Sequence, residues 1–205
     1  MEENGTNELT VSLCVVGNNH LGGQDFNERL RANLSAEIAA ERGGVELDDV
    51  EDIQSLRTAV EEAKLQLTYG DSAVIELNWR QVPVSLSSRH AVRTFRRVVP
   101  RQLFEDLNAD LFHKVLEPIH RVLDEVELSA DEVDEIVLVG GSTRIPRIRQ
   151  LIRDYFGGRE PNVAVDPELA VVTGISVQAG IIGGMWPLTV SAIEMPTHAR
   201  KIHLH

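Results

Sequence analysis

The sequence predicts a mixed α/β fold, and three observations carry that prediction. The stretch Ile136-Val-Leu-Val-Gly-Gly-Ser-Thr-Arg-Ile-Pro146 is a short apolar strand pattern that runs into paired glycines and then into a helix start. Elsewhere, apolar residues recur at steps of three and four, the period of a helix with one buried face. Between those stripes lie segments of alternating hydrophobicity, the period of a strand. The resulting order is strand, two helices, a hairpin-like pair, a long helix, strand, helix, helix.

A first strand is predicted at about Leu9 to Val16, followed by a polar turn with Asn18, Asn19, Gly22 and Gly23. Phe26, Leu30, Leu34 and Ile38 mark a helix from about Gln24 to Glu41, which Gly43-Gly44 ends. The next helix starts near Asp48 or Asp49, whose charge suits a helix N-terminus, and its stripe is Val50, Ile53, Leu56, Val60, Ala63 and Leu67. Ala73 to Leu77 and Ala91 to Val99 read as strands. Pro100 opens a long helical region through Leu103, Leu107, Leu111, Val115, Ile119, Val122 and Val126, which Pro118 should kink or divide. After the strand at Ile136, Ser142 or Thr143 can cap a helix that Pro146 helps to start and that Gly157-Gly158 closes. Asp166-Pro167 begins a last helix to about Ile181. The end, residues 184–205, reads as a frayed tail with one possible strand.

The bulk numbers narrow the function classes. The chain has 205 residues, 42% hydrophobic and 25% charged, which suits one good domain or two small ones. A net charge of −12 argues against a general nucleic-acid or anionic-membrane binder, because both partners require positive surface. A ligand phosphate would have to be held by local backbone N–H groups. Cys14 is alone, which rules out a disulfide framework. No apolar run is long enough to span a bilayer, and acidic residues precede Leu9, the wrong flank for a secretory signal.

Three segments have chemical potential. Gly140 and Gly141 lack a Cβ, so a ring or phosphate can approach their main chain, with Arg144 at the helix mouth able to stack on a base or pair with an anion. The same pattern also describes a tight turn between packed elements. Gly17-Asn-Asn-His-Leu-Gly-Gly-Gln-Asp-Phe-Asn27 is a Gly-rich turn at a strand end, and its amides can form an anion nest or simply a capped turn. Glu61, Lys64 and Thr68 fall on one helix face, where they can grip a ribose and an adenine or form a solvated ion pair.

Taken together, five blocks resemble one family. Gly17 to Asn27, Glu61-Glu-Ala-Lys64, Asp106-Leu-Asn-Ala-Asp-Leu-Phe-His-Lys-Val-Leu-Glu-Pro118, Val137 to Pro146 and Asp166-Pro-Glu-Leu-Ala-Val-Val-Thr-Gly174 are similar, in order, to the second half of the ATPase domain of the 70-kilodalton heat-shock (DnaK-type) chaperones. The resemblance covers about residues 10 to 183. Its later part, with the segment after Trp186, is most similar to the microsome-associated branch, which ends shortly after the ATPase domain.

That resemblance implies an actin-like (ribonuclease H-like) ATPase lobe over residues 9–183, with an inserted helical and β-hairpin subdomain at about 42–110. It implies ATP or ADP as ligand, with Gly22 and Gly23 near the phosphates and Glu61, Lys64 and Thr68 holding adenosine. Gly140, Gly141, Ser142 and Arg144 would form the adenine-side loop, with Ile145 packing nearby and Glu168 at the acidic position beyond. A nucleotide-exchange factor or cochaperone is the implied protein partner, and the endoplasmic reticulum or microsome the implied compartment. Leu65 departs from the family's stacking arginine, while Asn18, Gln24 and Asn27 replace acidic residues.

Phosphoryl transfer needs a positioned water, magnesium and donors around the γ-phosphate. The family draws these largely from its first lobe, whose segments are not in this sequence, so Mg2+ is expected only with the two-lobed domain. The expectation is therefore a fragment or truncated product that carries half of a nucleotide site and does not hydrolyse ATP alone. The alternative is a non-catalytic interaction module built on the same lobe. A Rossmann-type dinucleotide enzyme is disfavoured, since the Gly-Gly-Ser loop lacks G-x-G-x-x-G spacing.

Overall fold

A computed structural model describes residues 14–80, 92–162 and 164–183. The chain divides into two compact units, each with its own elements. The hairpin unit comprises Asn19–Val115 and Gly141–Ile152, and the terminal unit comprises the remaining segments, including Leu116–Gly140.

Helix α1 (Gly23–Glu41) and helix α2 (Val50–Tyr69) form the body of the hairpin unit. The stripe Phe26, Leu30, Leu34 and Ile38 is at most 1% exposed, and α2 contributes Leu56, Val60, Ala63 and Leu67. Burying each large side chain of this kind is worth roughly 1.5–3 kcal/mol. The α2 stripe begins later than its sequence suggests, since Val50 opens the helix and is 79% exposed. Gly43 (φ 74°) and Gly44 (φ 92°) take left-handed conformations after α1, and Gly44 N donates to Ala39 O. Asp49 caps α2, its Oδ1 accepting from the backbone N–H of Glu51 at 2.8 Å and of Asp52 at 3.2 Å.

Strands β1 (Ser72–Arg80) and β2 (Val92–Pro100) pair antiparallel with Ala73 opposite Val99 and Leu77 opposite Phe95. Those four residues and Ile75 are buried, while Val74 and Val98, opposite each other, face outward. Arg101 opens the next helix and clamps the end of α2, with Nε donating to Leu67 O at 2.9 Å and Nη2 to Gly70 O at 2.8 Å.

The long helical region is three helices, α3 (Arg101–Leu107), α4 (Ala109–Lys114) and α5 (Leu116–Val126). The first break is at fully buried Asn108, whose Nδ2 donates to Phe104 O at 2.9 Å and so competes with the helix ladder. The second precedes Pro118, which lacks the N–H that would bond to Lys114 O, so the interruption falls at Val115 and Pro118 itself sits inside α5. Phe112 packs edge-on against Phe26 (centroids 5.0 Å apart) and Phe104 (6.1 Å).

In the terminal unit the predicted strands are not extended ladders. Cys14, Val15 and Val16 carry no strand, and the rest of that expected strand lies outside the described residues. The stretch from Ile136 forms one parallel bridge, Val137 to Asn162. Leu138 is buried while Val137 and Val139 are about half exposed, the alternation of a strand, but among the described residues only Asn162 pairs with it. Arg159 closes the acidic turn before it, donating to the carbonyls of Ala130 and Val133.

The expected cap at Ser142 or Thr143 is replaced by a 3-10 turn, Gly141–Arg144, from which α6 (Pro146–Tyr155) continues. Helix α7 (Ala170–Ile182) starts later than Pro167, because Asp166 first closes a turn with its Oδ1 on Glu168 N and its carbonyl on Leu169 N and Ala170 N. The expected tail, 184–205, lies outside the described residues.

Candidate functional site

The N-terminus of α1 is the centre of the site. Gly22 is fully extended (φ −165°), and its N–H donates to Asp25 Oδ2 at 2.8 Å, which orients the first helical turn. Gly23 follows as the first helical residue. A Cβ on Gly23 would lie 3.2 Å from Lys64 Nζ and 3.2 Å from Ser142 Oγ. Three segments distant in sequence therefore meet at one backbone position, where a side chain would press on the ends of Lys64 and Ser142. All three belong to the hairpin unit.

On α2, the Lys64 ammonium donates to Glu61 Oε2 at 2.8 Å and reaches Gly23 O at 3.5 Å. Its side chain is 13% exposed, so the charge is largely withdrawn from solvent and held by these acceptors. Burial works to raise the Glu61 pKa, but hydrogen bonds from Lys64 and Asn27, with the Lys64 charge, outweigh it and hold the carboxyl below the usual glutamate range. Thr68 Oγ1 donates to Lys64 O at 3.2 Å, so its proton is engaged and its lone pairs remain available to a donor. Leu65, in place of the arginine implied by the resemblance, is 53% exposed.

The 3-10 turn reaches Gly23 through Ser142, and none of its residues lines the groove along α2. Ser142 lies in the turn's second position, and its carbonyl accepts from Ile145 N at 3.2 Å. Ile145 is buried, anchoring the turn to the core, and Arg144 is half-buried at its end. Gly140 (φ 95°) and Glu168 belong to the terminal unit, where Gly140 N donates to Pro167 O at 2.7 Å and Glu168 lies in the exposed turn before α7. The positive φ explains why position 140 requires glycine. The structure thus groups Gly22, Gly23, Glu61, Lys64, Thr68, Gly141, Ser142, Arg144 and Ile145 in one unit, and Gly140 and Glu168 in the other.

A groove of about 670 Å3 runs from Gly23 along α2 past Glu61 to Arg57, Thr58 and Gln54. Sequence reasoning did not extend the site that far, although Gln54, Thr58 and Glu61 share helical spacing with the residues it chose. It also missed Arg101, which fixes the last turn of the helix that carries Thr68. Among the described residues no cluster of three or more acidic, histidine or cysteine side chains could hold a metal. No helix among them is long and apolar enough to cross a membrane.

The mixed helix-and-strand scaffold gathers a glycine, an ammonium and a hydroxyl at a helix N-terminus, an arrangement that favours an anion. The chain belongs to the Hsp70 protein family, whose model matches residues 5–194. It is 46% identical to heat shock 70 kDa protein 13 of Rattus norvegicus and 44% identical to that of Homo sapiens, in each case over 96% of this chain and 49% of the relative. It is also 39% identical to heat shock 70 kDa protein BIP3 of Oryza sativa subsp. japonica, over 84% of this chain and 24% of that protein. The chain spans about half the length of the heat shock 70 kDa protein 13 sequences it matches. It therefore carries a chaperone ATPase-type region of the actin-like class, in a family that binds ATP and ADP with Mg2+.

Proposed function

We propose that this chain supplies the adenosine-side half of an Hsp70-type nucleotide site and does not hydrolyse ATP by its own residues. The observation that supports the reading is the meeting of Lys64 Nζ and Ser142 Oγ at Gly23. That cradle suits a nucleotide chemically. The N-terminal amides of α1 and the Lys64 ammonium complement phosphate charge, while Glu61 and Thr68 offer acceptors for ribose and base donors. Gly141, Ser142 and Arg144, with Ile145, would form the base-side wall. Magnesium supplies charge neutralisation on the phosphates when bound, and the residues named here hold and orient the nucleoside.

In this reading the segment at about 42–110 is a subdomain inserted in a lobe spanning 9–183, and 184–205 is a tail. The protein partner is a nucleotide-exchange factor or cochaperone. The endoplasmic reticulum or microsome is the compartment, by likeness to the microsomal branch alone. A second reading, an interaction module that has given up nucleotide, draws on exposed Leu65, which offers a base no cation–π face.

Isothermal titration of the full chain with ATP and ADP, with and without Mg2+, separates the two. Submillimolar, magnesium-sensitive binding is expected, and silence at millimolar nucleotide overturns the first reading in favour of the second.

A further inference from the structure

We infer that Asn27 is a positioning residue of this site, pinning the Glu61 carboxylate so that one of its oxygens holds Lys64 against Gly23 and the other stays open to a ligand hydroxyl. For the ligand this rests on the nucleotide reading, whereas the pinning itself does not. Asn27 stands one helical turn beyond Gly23 on α1, so the same helix carries the cradle glycine and the amide. It is 8% exposed, and its Nδ2 donates to Glu61 Oε2, the oxygen that also accepts from Lys64 Nζ. Glu61 Oε1 has no hydrogen-bond partner among the described residues.

The amide has one workable orientation. Its Oδ1 is buried without a partner among the described residues, and a flip would turn that oxygen onto the carboxylate. Leaving a buried acceptor unpaired is unfavourable, so the Glu61 bond, not the solvation of Asn27, sets the side chain. The charged groups around Glu61 on its own helix are Lys64, Arg57 and Glu62, while α1 presents neutral Gln24 and Asn27 to the same groove. Glu28, next along α1, is held below its usual range chiefly by its hydrogen bond from Arg31, with help from Arg57. A carboxylate at position 27 would face Glu61 directly, and two such groups titrate as a coupled pair.

The test uses the full chain and its N27D, N27S and N27D/E61Q variants, followed by carboxyl 13C NMR of Glu61 and by ADP titration from acidic to mildly basic pH. In N27S the Glu61 carboxyl titrates upward because a donor is lost, and in isosteric N27D it rises further. Taken relative to the parent's at each pH, ADP affinity of N27D is unchanged at acid pH, where the pair shares a proton, and falls about tenfold once both carboxyls ionise. The exchanged pair N27D/E61Q restores one amide and one carboxylate, and with them the parent's profile. A purely structural asparagine would move the melting temperature without this pH dependence or this rescue. Unchanged Glu61 titration in both single variants overturns the inference. If the parent binds no ADP, the nucleotide reading fails and the NMR titration alone decides the pinning.

Discussion

At the scale of single residues, Gly23 is the position of the candidate site where three distant segments converge. A methyl group there would sit 3.2 Å from both Lys64 Nζ and Ser142 Oγ, tighter than ordinary van der Waals contact. Both neighbours are the ends of side chains, so the fold can yield, and alanine is also the better helix former by about 0.5–1 kcal/mol. G23A is therefore expected to melt within a few degrees of the parent while losing about tenfold, ~1.4 kcal/mol, in ADP affinity. Thermal melting and calorimetric titration check this, and unchanged affinity would mean that no ligand approaches Gly23. The glycine, and the shared face of Glu61, Lys64 and Thr68, were legible from pattern alone. Their convergence with Ser142 came only from family resemblance, since helical period cannot bring position 23 to position 142. The Asn27–Glu61 bond, 34 residues apart in sequence, left no local signal beyond an altered polarity.

At the scale of elements, α2 is the part whose ends matter most, because it carries the candidate contacts near its C-terminus. Asp49 satisfies the first orphan N–H groups, and Arg101 the last carbonyls. R101M keeps the aliphatic stem but removes two charge-assisted hydrogen bonds and the pairing with Asp71 at 3.1 Å. A loss of about 1.5–3 kcal/mol in urea-denaturation stability is expected, together with faster amide exchange in the turn holding Thr68. Parent-like exchange there would show that the clamp is dispensable. The periods of α1 and α2 made both helices readable, and hydrophobic alternation gave the hairpin. The division of the region after Pro100 was half readable. Pro118 announced a break, but its consequence falls a turn earlier, at the carbonyl left unpaired. Asn108 gave no warning, because an asparagine in a helical stripe does not reveal that its side chain will turn back on Phe104. The apolar run at Ile136 predicts more strand than forms, since such a run reports burial and not how many neighbours it will pair with.

At the scale of the whole molecule, the two units are unequally built. The hairpin unit buries Leu30, Leu34, Ile38, Val60 and Val99 completely, with three phenylalanines packed edge to face. Among the described residues of the terminal unit the buried large hydrophobics are Leu123, Leu138 and Phe156, each still 7–8% exposed. Helix α7 has no buried residue, and its Val171, Val172 and Ile175 are each more than half exposed. At roughly 1.5–3 kcal/mol for each large side chain removed from water, the driving force that the described residues supply is concentrated in the hairpin unit. Local opening free energies should follow that distribution. Native-state hydrogen exchange is expected to show amides of α1, α2 and the hairpin protected to near the global unfolding limit. Those of α5 and α7 should exchange about a hundredfold faster or more, the effect of a gap of roughly 3 kcal/mol. The same asymmetry predicts two urea transitions, with Tyr155 reporting the earlier one and the α1 amides the later. A single coincident transition with uniform protection would mean that contacts beyond these two cores carry the stability of the terminal unit.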